Sequence, residues 1–273
     1  MQFVHDTSVS VAKLWHEFAF EHATVPVLAR RYRISKSTVH RRLDEYVVRG
    51  HHPIPRKIVA VADATWIGGS WMLVVRVPHE GENVYRQEVE WEDVASYQRA
   101  RQTLEEKGFT ILALVGDGRM ALPWAFPGIP FQMCHFHMEQ IVVRYTTLFP
   151  RLQAGVELLA LARALAHTDG DSFSDAFKLW CRTWEDFLKE KSIDPNTGKK
   201  TYTHRRLRSA RDSLRRHLPY LFTFEKYPEL NIPNTTNSLD GSFKKVKMAI
   251  GIHSGLTRAR KLKLITTLLS PPA

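Results

Sequence analysis

An α/β fold is predicted for this sequence: a mixed sheet carrying a helical insertion and preceded by an all-α module. Apolar residues recur at helical spacing from Val11 to Tyr46. Short β-branched runs then alternate with a helix-forming stretch from Lys57 to Val115, and residues 148–226 return to helical spacing. A period near 3.6 marks a helix with one buried face, whereas short apolar runs bounded by turn residues mark strands. The expected divisions are a helical module over 1–48, a linker over 49–56, a sheet domain begun over 57–147, a helical insertion over 148–226 and closing helices over 227–273.

The first module reads as three short helices. Val11, Leu14, Trp15 and Phe18 share one face, Val27 and Leu28 follow, and Val39, Leu43 and Tyr46 close the set. Thr24 with Pro26 starts the second helix by a capping hydroxyl and a first-turn proline, and Ser35 caps the third. With Val39 and Leu43 turned inward, Lys36, Ser37, Thr38, His40, Arg41 and Arg42 occupy the remaining surface. This helix-turn-helix outline fits DNA binding, with base-edge contacts near the helix start and phosphate contacts from the arginines. A trihelical bundle with a solvated basic face would use the same residues. The run Arg49-Gly-His-His-Pro-Ile-Pro55 then breaks any helix.

In the second part, Lys57 to Ala62 is a strand running out at Asp63. Trp71 to Val77 is a hairpin partner beyond Gly68-Gly69, and Val84 to Glu90 is a third strand. A helix from Val94 to Lys107 ends at Gly108, and a fourth strand, Thr110 to Val115, runs out at Gly116-Asp117-Gly118. Strand, strand, strand, helix, strand is the order of the RNase H-like fold. In such a sheet the ends of the first and fourth strands lie side by side, so Asp63 and Asp117 would share a cation, since paired carboxylates repel until a metal neutralises them. Magnesium suits oxygen ligands and retained waters, with manganese as the alternative ion. Either aspartate alone would also serve as a turn residue.

Composition narrows the partner. A net charge of +11 and a pI near 9.7 favour a polyanion, since phosphate contacts release counterions. No apolar run reaches the roughly 20 residues of a spanning helix, and no charged-then-apolar leader opens the chain, so a cytoplasmic protein is expected and no membrane partner. Cys134 and Cys181 are too few for a disulfide framework.

Asp63-Ala-Thr65, Val115-Gly-Asp117-Gly118, Cys134-His-Phe-His137 and Asn234-Thr-Thr-Asn-Ser-Leu-Asp240 together resemble the Mutator-like transposases, including their bacterial insertion-sequence relatives. The resemblance spans most of residues 57–250. It implies a magnesium-dependent transposase that cleaves and joins double-stranded DNA, at both element ends and target, and acts as a homo-oligomer. It implies Asp63, Asp117 and Asp240 as the catalytic, metal-holding acids and Cys134 with His137 as support for that neighbourhood. The family usually carries glutamate where Asp240 stands, one methylene longer. Glu225 and Glu229 are the alternative third acids, although Pro228 and Pro233 make their segment read as a loop. Thr236 or Asn237 would cap the helix bearing Asp240. Cys134 and His137 lack two further ligands for structural zinc and read instead as a buried pair.

Within 148–226 the stripe Phe173, Phe177, Trp180, Trp184 and Phe187 is expected in a core, and Ser192 to Thr203 as an exposed loop. His204 to Arg208 and Arg211 to Arg216 would either track phosphates or solvate a helix. Lys244, Lys245 and Lys247, then Arg258, Arg260, Lys261 and Lys263, would hold DNA phosphates. Two other functions fit the same residues. One is a DNA-binding regulator or inactive remnant, favoured by the aspartate at 240 and the short run before the first helix. The other is an RNase H-like nuclease that does not transpose.

Overall fold

The computed structural model describes residues 9–48, 50, 52–193, 195–196 and 198–270. Arg49 and His51 of the expected linker, and Asp194 and Thr197 of the expected loop, lie outside them. Three helices open the chain: α1 (Val11–Ala19), α2 (Val25–Arg31) and α3 (Lys36–Glu45). Ser10 and Ser35 cap α1 and α3, accepting from the amides of Lys13 and Thr38. Thr24 precedes α2 without a side-chain cap bond, contrary to the sequence expectation. Pro26 stands where one of the two amides that a cap serves would be.

The strands are β1 (Lys57–Ile67), β2 (Ser70–Val77) and β3 (Glu82–Val89); then come α4 (Val94–Glu106) and β4 (Thr110–Gly116). After α5 (Ala121–Ala125), β5 (Phe131–Met133) completes a five-stranded mixed sheet in the order β3-β2-β1-β4-β5. β1 runs parallel to β4 with Val61 opposite Val115, and β2 runs antiparallel to β3. β1 continues well past Asp63, contrary to expectation. Thr65, Trp66 and Ile67 are strand formers, and the chain turns only at Gly68-Gly69, whose φ values of +66° and +101° suit a tight hairpin turn.

The remaining helices are α6 (His135–Thr146), α7 (Gln153–Ala164), α8 (Gly170–Thr183) and α9 (Glu185–Lys189), followed beyond residue 203 by α10 (Arg205–Leu221), α11 (Thr223–Lys226), α12 (Asn237–Ile252) and α13 (Arg258–Leu268). Phe173, Phe177 and Trp180 are buried, but the stripe breaks at Trp184, where α8 ends. Ser192–Thr203 is not a plain loop: β6 (Lys191–Ile193) pairs antiparallel with β7 (Lys200–Tyr202), because Thr201 and Tyr202 favour strand and Gly198, at φ +65°, turns the chain. No described helix is long and apolar enough to cross a membrane.

The chain forms two compact units, residues 1–56, 63–96 and 237–273 in one and 57–62 and 97–236 in the other, so the dividing line falls within β1. In the first, the opening helices pack with the closing region. Leu14, Trp15, Phe18, Leu28, Val39 and Leu43 share one core with Ala249, Leu256 and Leu264 of the closing region. Polar tethers reinforce it: Trp15 Nε1 donates to Thr267 Oγ1 at 3.1 Å, and His253 Nε2 lies 2.8 Å from the Phe18 carbonyl. In the second unit, Gln132 on β5 donates to the carbonyls of Met133 and Leu221, and Thr223 donates to Phe131.

Glu17 is a charge inside the first of these cores, 5% exposed. Burial opposes its ionised form, but hydrogen bonds from Tyr32 and Arg31 outweigh that and hold its carboxyl below the usual value. A depressed folded pKa means that the stabilisation is complete above the unfolded value, roughly pH 4.3, and is lost as pH falls through the lower, folded value. Glu17→Gln is therefore expected to lower the melting temperature at neutral pH and to flatten its acid limb; an acid limb identical to the wild type's would refute this role.

Candidate metal centre and nucleic-acid surfaces

Parallel pairing of β1 and β4 sets the site. The two strands pair as far as Val61 and Val115, and Asp63 and Asp117 each follow two residues later. The Asp117 turn is tightly held. Gly116 leaves no room for a side chain, since a Cβ there would lie 2.2 Å from Leu122 Cδ1, and Gly118 takes φ +89° with its carbonyl 2.9 Å from Nε2 of buried His217. Asp117 Oδ1 accepts from the Arg119 amide at 2.9 Å and Oδ2 from Arg119 Nε at 3.2 Å, while Asp63 Oδ1 accepts from the Ala64 amide at 2.8 Å.

A third acid joins them: one ligand oxygen each from Asp63, Glu92 and Asp117 lie within 4.8 Å of one another, and all three residues are half-buried. Glu92 follows the end of β3 in a segment tied to α4, where Asp93 Oδ1 accepts from the Ser96 amide at 2.8 Å and Ser96 Oγ donates to the Trp91 carbonyl at 2.9 Å. The three carboxylates form an oxygen-only donor set of the kind that suits magnesium or manganese, with the Arg119 guanidinium paired to Asp117 beside them. Sequence reading missed Glu92, although the acidic run Glu90, Glu92, Asp93 just past a strand was a signal for it.

The structure brings together Asp63 and Asp117 of the expected acids; Asp240, half-buried in the first turn of α12, is not one of the converging set. Of its alternatives, Glu225 accepts from the Gly170 amide at 3.0 Å and so serves the start of α8, and Glu229 lies in a short 3₁₀ turn, Pro228–Leu230.

Cys134, fully buried, is the residue before α6. The Thr236 amide and hydroxyl donate to its Sγ at 3.3 and 3.4 Å, and that hydroxyl also lies 3.3 Å from His137 Nδ1. The Thr236 hydroxyl is thus engaged with Cys134 and His137. Burial pushes the Cys134 thiol up, but hydrogen bonds with His137 and Thr236 bring it below its ordinary range. His135 turns away to the Leu221 carbonyl, and among the described residues no cluster of three ligands includes Cys134.

Of the residues expected on the third helix's DNA face, Lys36, Ser37 and Arg41 are exposed and Thr38 is half-buried. Two others are committed internally. His40 Nδ1 lies 2.7 Å from Arg260 Nη1, and Arg42 Nη1 donates to the Val9 carbonyl at 2.8 Å. Burial and the adjoining Arg260 charge hold His40 below its usual pKa, which suits an imidazole that accepts. Arg260 also grips Asp44 with two hydrogen bonds of 2.6 and 2.7 Å, and Lys263 Nζ donates to the Leu43 and Asp44 carbonyls, a cation at the end of α3. Arg258 pairs with Glu88 at 2.7 Å. Much of the basic charge on α13 thus serves to join helices. Lys244, Lys245 and Lys247 are exposed along α12. No protein-family model matches the chain, and no curated protein matches it either.

Proposed function

We propose that this protein is a DNA transposase of the Mutator-like kind, cutting and joining phosphodiester bonds with a divalent ion held by Asp63, Glu92 and Asp117. The convergence of those three carboxylates within 4.8 Å carries the reading. The strand order β3-β2-β1-β4-β5, with β1 and β4 parallel, agrees with an RNase H-like sheet. The three opening helices agree with a helix-turn-helix, and the net charge of +11 with a DNA partner. Bound magnesium would supply activation of water or a DNA 3′-hydroxyl and neutralisation of charge on the departing oxygen. The chain's own residues do the rest. Arg119 fixes the Asp117 carboxylate, the Asp93 cap of α4 fixes the segment bearing Glu92, and Lys36, Ser37 and Arg41 meet the groove from the start of α3. Paired assembly on two DNA ends, a nucleoid location in a bacterial cytoplasm and the supporting role of Cys134 and His137 follow from the family resemblance.

The test is incubation of the full chain with end-labelled element DNA and magnesium. Expected are nicks at the element end and joined products with a target duplex, both abolished by chelation. Cleavage indifferent to the end sequence would make the protein a nuclease, and sequence-specific binding without any cleavage would make it a regulator; either result overturns the transposase reading.

A further inference from the structure

The helical part of the second unit holds a cavity of about 450 Å³ where α6 ends, the chain turns towards α7, and α10 begins. Arg151, Arg205, Arg206, His204, Thr147 and Thr203 are among its lining residues, and no lining residue is acidic. Three arginines line this hollow with no acid beside them, and their like charges favour an anion there. Two of the lining residues have internal partners: Arg206 donates to the Arg144 and Tyr145 carbonyls, tethering the end of α6, and His204 lies 3.0 Å from Glu190 while stacking on Phe187. Arg151 and Arg205 are exposed, and neither guanidinium is paired with an acid among the described residues.

Thr147 adds an independent mark. It takes φ +78° and ψ 170°, a region that is essentially glycine's, and a β-branched residue is costly there. Its amide bonds to the Val143 carbonyl at 2.7 Å, and the Arg206 tether on the Arg144 and Tyr145 carbonyls holds the end of the helix before it. Such strain persists where surroundings over-determine the backbone, and it gathers at ligand clamps. A hollow of this size lies within the range of roughly 300–1,000 Å³ that takes a nucleotide-sized ligand.

We infer that this cavity is a phosphate-binding site that seats a nucleotide unit of DNA backbone through Arg151 and Arg205. The inference rests on the DNA partner in the function proposed above but not on its chemistry, so it is tested in chelator, where no cleavage competes. Binding of the full chain to labelled duplexes of two unrelated sequences is measured by fluorescence anisotropy across a salt series. Arg151→Ala with Arg205→Ala is expected to weaken binding about tenfold on both sequences and to lower the salt slope by about 2, one for each lost phosphate contact. Arg151→Lys with Arg205→Lys restores most of the affinity, which also separates charge loss from misfolding. A matched control, Lys178→Ala with Lys189→Ala, leaves the affinity within about twofold, since both lysines are already exposed and paired with acids.

Unchanged DNA binding in the arginine double variant, or an equal loss in the lysine control, overturns the inference while leaving the metal chemistry standing. Titration with thymidine monophosphate separates the two sources of phosphate. Nucleotide binding that the double variant abolishes, with DNA binding untouched, would overturn the DNA occupant in favour of a free nucleotide. Wild-type protein that binds no duplex at all overturns this inference and the proposed function together.

Discussion

Asp63→Asn and Asp117→Asn are each expected to lower magnesium-dependent cleavage by about a thousandfold. Ion-held charge stabilisation is worth several kcal/mol in the transition state, and about 4 kcal/mol corresponds to three decades in rate. An amide keeps the shape of either side chain and removes the charge that the ion needs, so folding is spared and the chemistry is not. Glu92→Gln belongs with them: its carboxylate converges with the other two, and magnesium affinity measured by calorimetry should fall at least about tenfold in all three variants. Asp240→Asn is expected to leave magnesium affinity within about threefold, because Asp240 is not one of the converging acids. The family resemblance instead makes Asp240 essential to cleavage, so the two assays on this one variant separate ion binding from catalysis. Undiminished metal binding in Glu92→Gln, or full cleavage by Asp63→Asn, would defeat the three-acid cradle.

Trp15→Ala is expected to destabilise the first unit by about 3–5 kcal/mol, the usual cost of emptying a large aromatic site from a core. Trp15 is 1% exposed, stacks on Tyr46 at 4.9 Å and donates to Thr267. Because Thr267 is in α13, the same substitution strikes the join between the opening and closing helices. The measurement is chemical denaturation followed by far-ultraviolet circular dichroism, with Trp15→Phe as a milder companion that keeps an aromatic ring but loses the indole N–H and part of the packing, costing about 1–2 kcal/mol. A loss below about 1 kcal/mol for Trp15→Ala would mean that the opening helices fold without α13.

The residues differ in how far they could be read unaided. Leu14, Phe18, Val39 and Leu43 announce their helices because a period near 3.6 repeats within a few residues, and Ser35 announces a cap through its own chemistry. Asp117 was legible as the residue where an apolar strand stops. Asp63 was legible as an acid beside a strand but not as a mid-strand residue, because β1 is prolonged by a partner that lies beyond a turn. Glu92 was legible only as one member of an acidic run: nothing local distinguishes it from Glu90 or Asp93, and only the fold brings its carboxylate to the other acids.

Local chemistry in the sequence determined the α/β class, the three opening helices, the starts of the first four strands, the basic charge and two of the three converging acids. Tertiary structure decided the third acid, the commitment of His40, Arg42, Arg260 and Lys263 to internal contacts, and the union of the first helices with the last in one core. The reason is range: periodicity and capping act over a few residues and are written in neighbours, whereas Arg260 meets Asp44 across 216 positions, a pairing that no nearby pattern encodes.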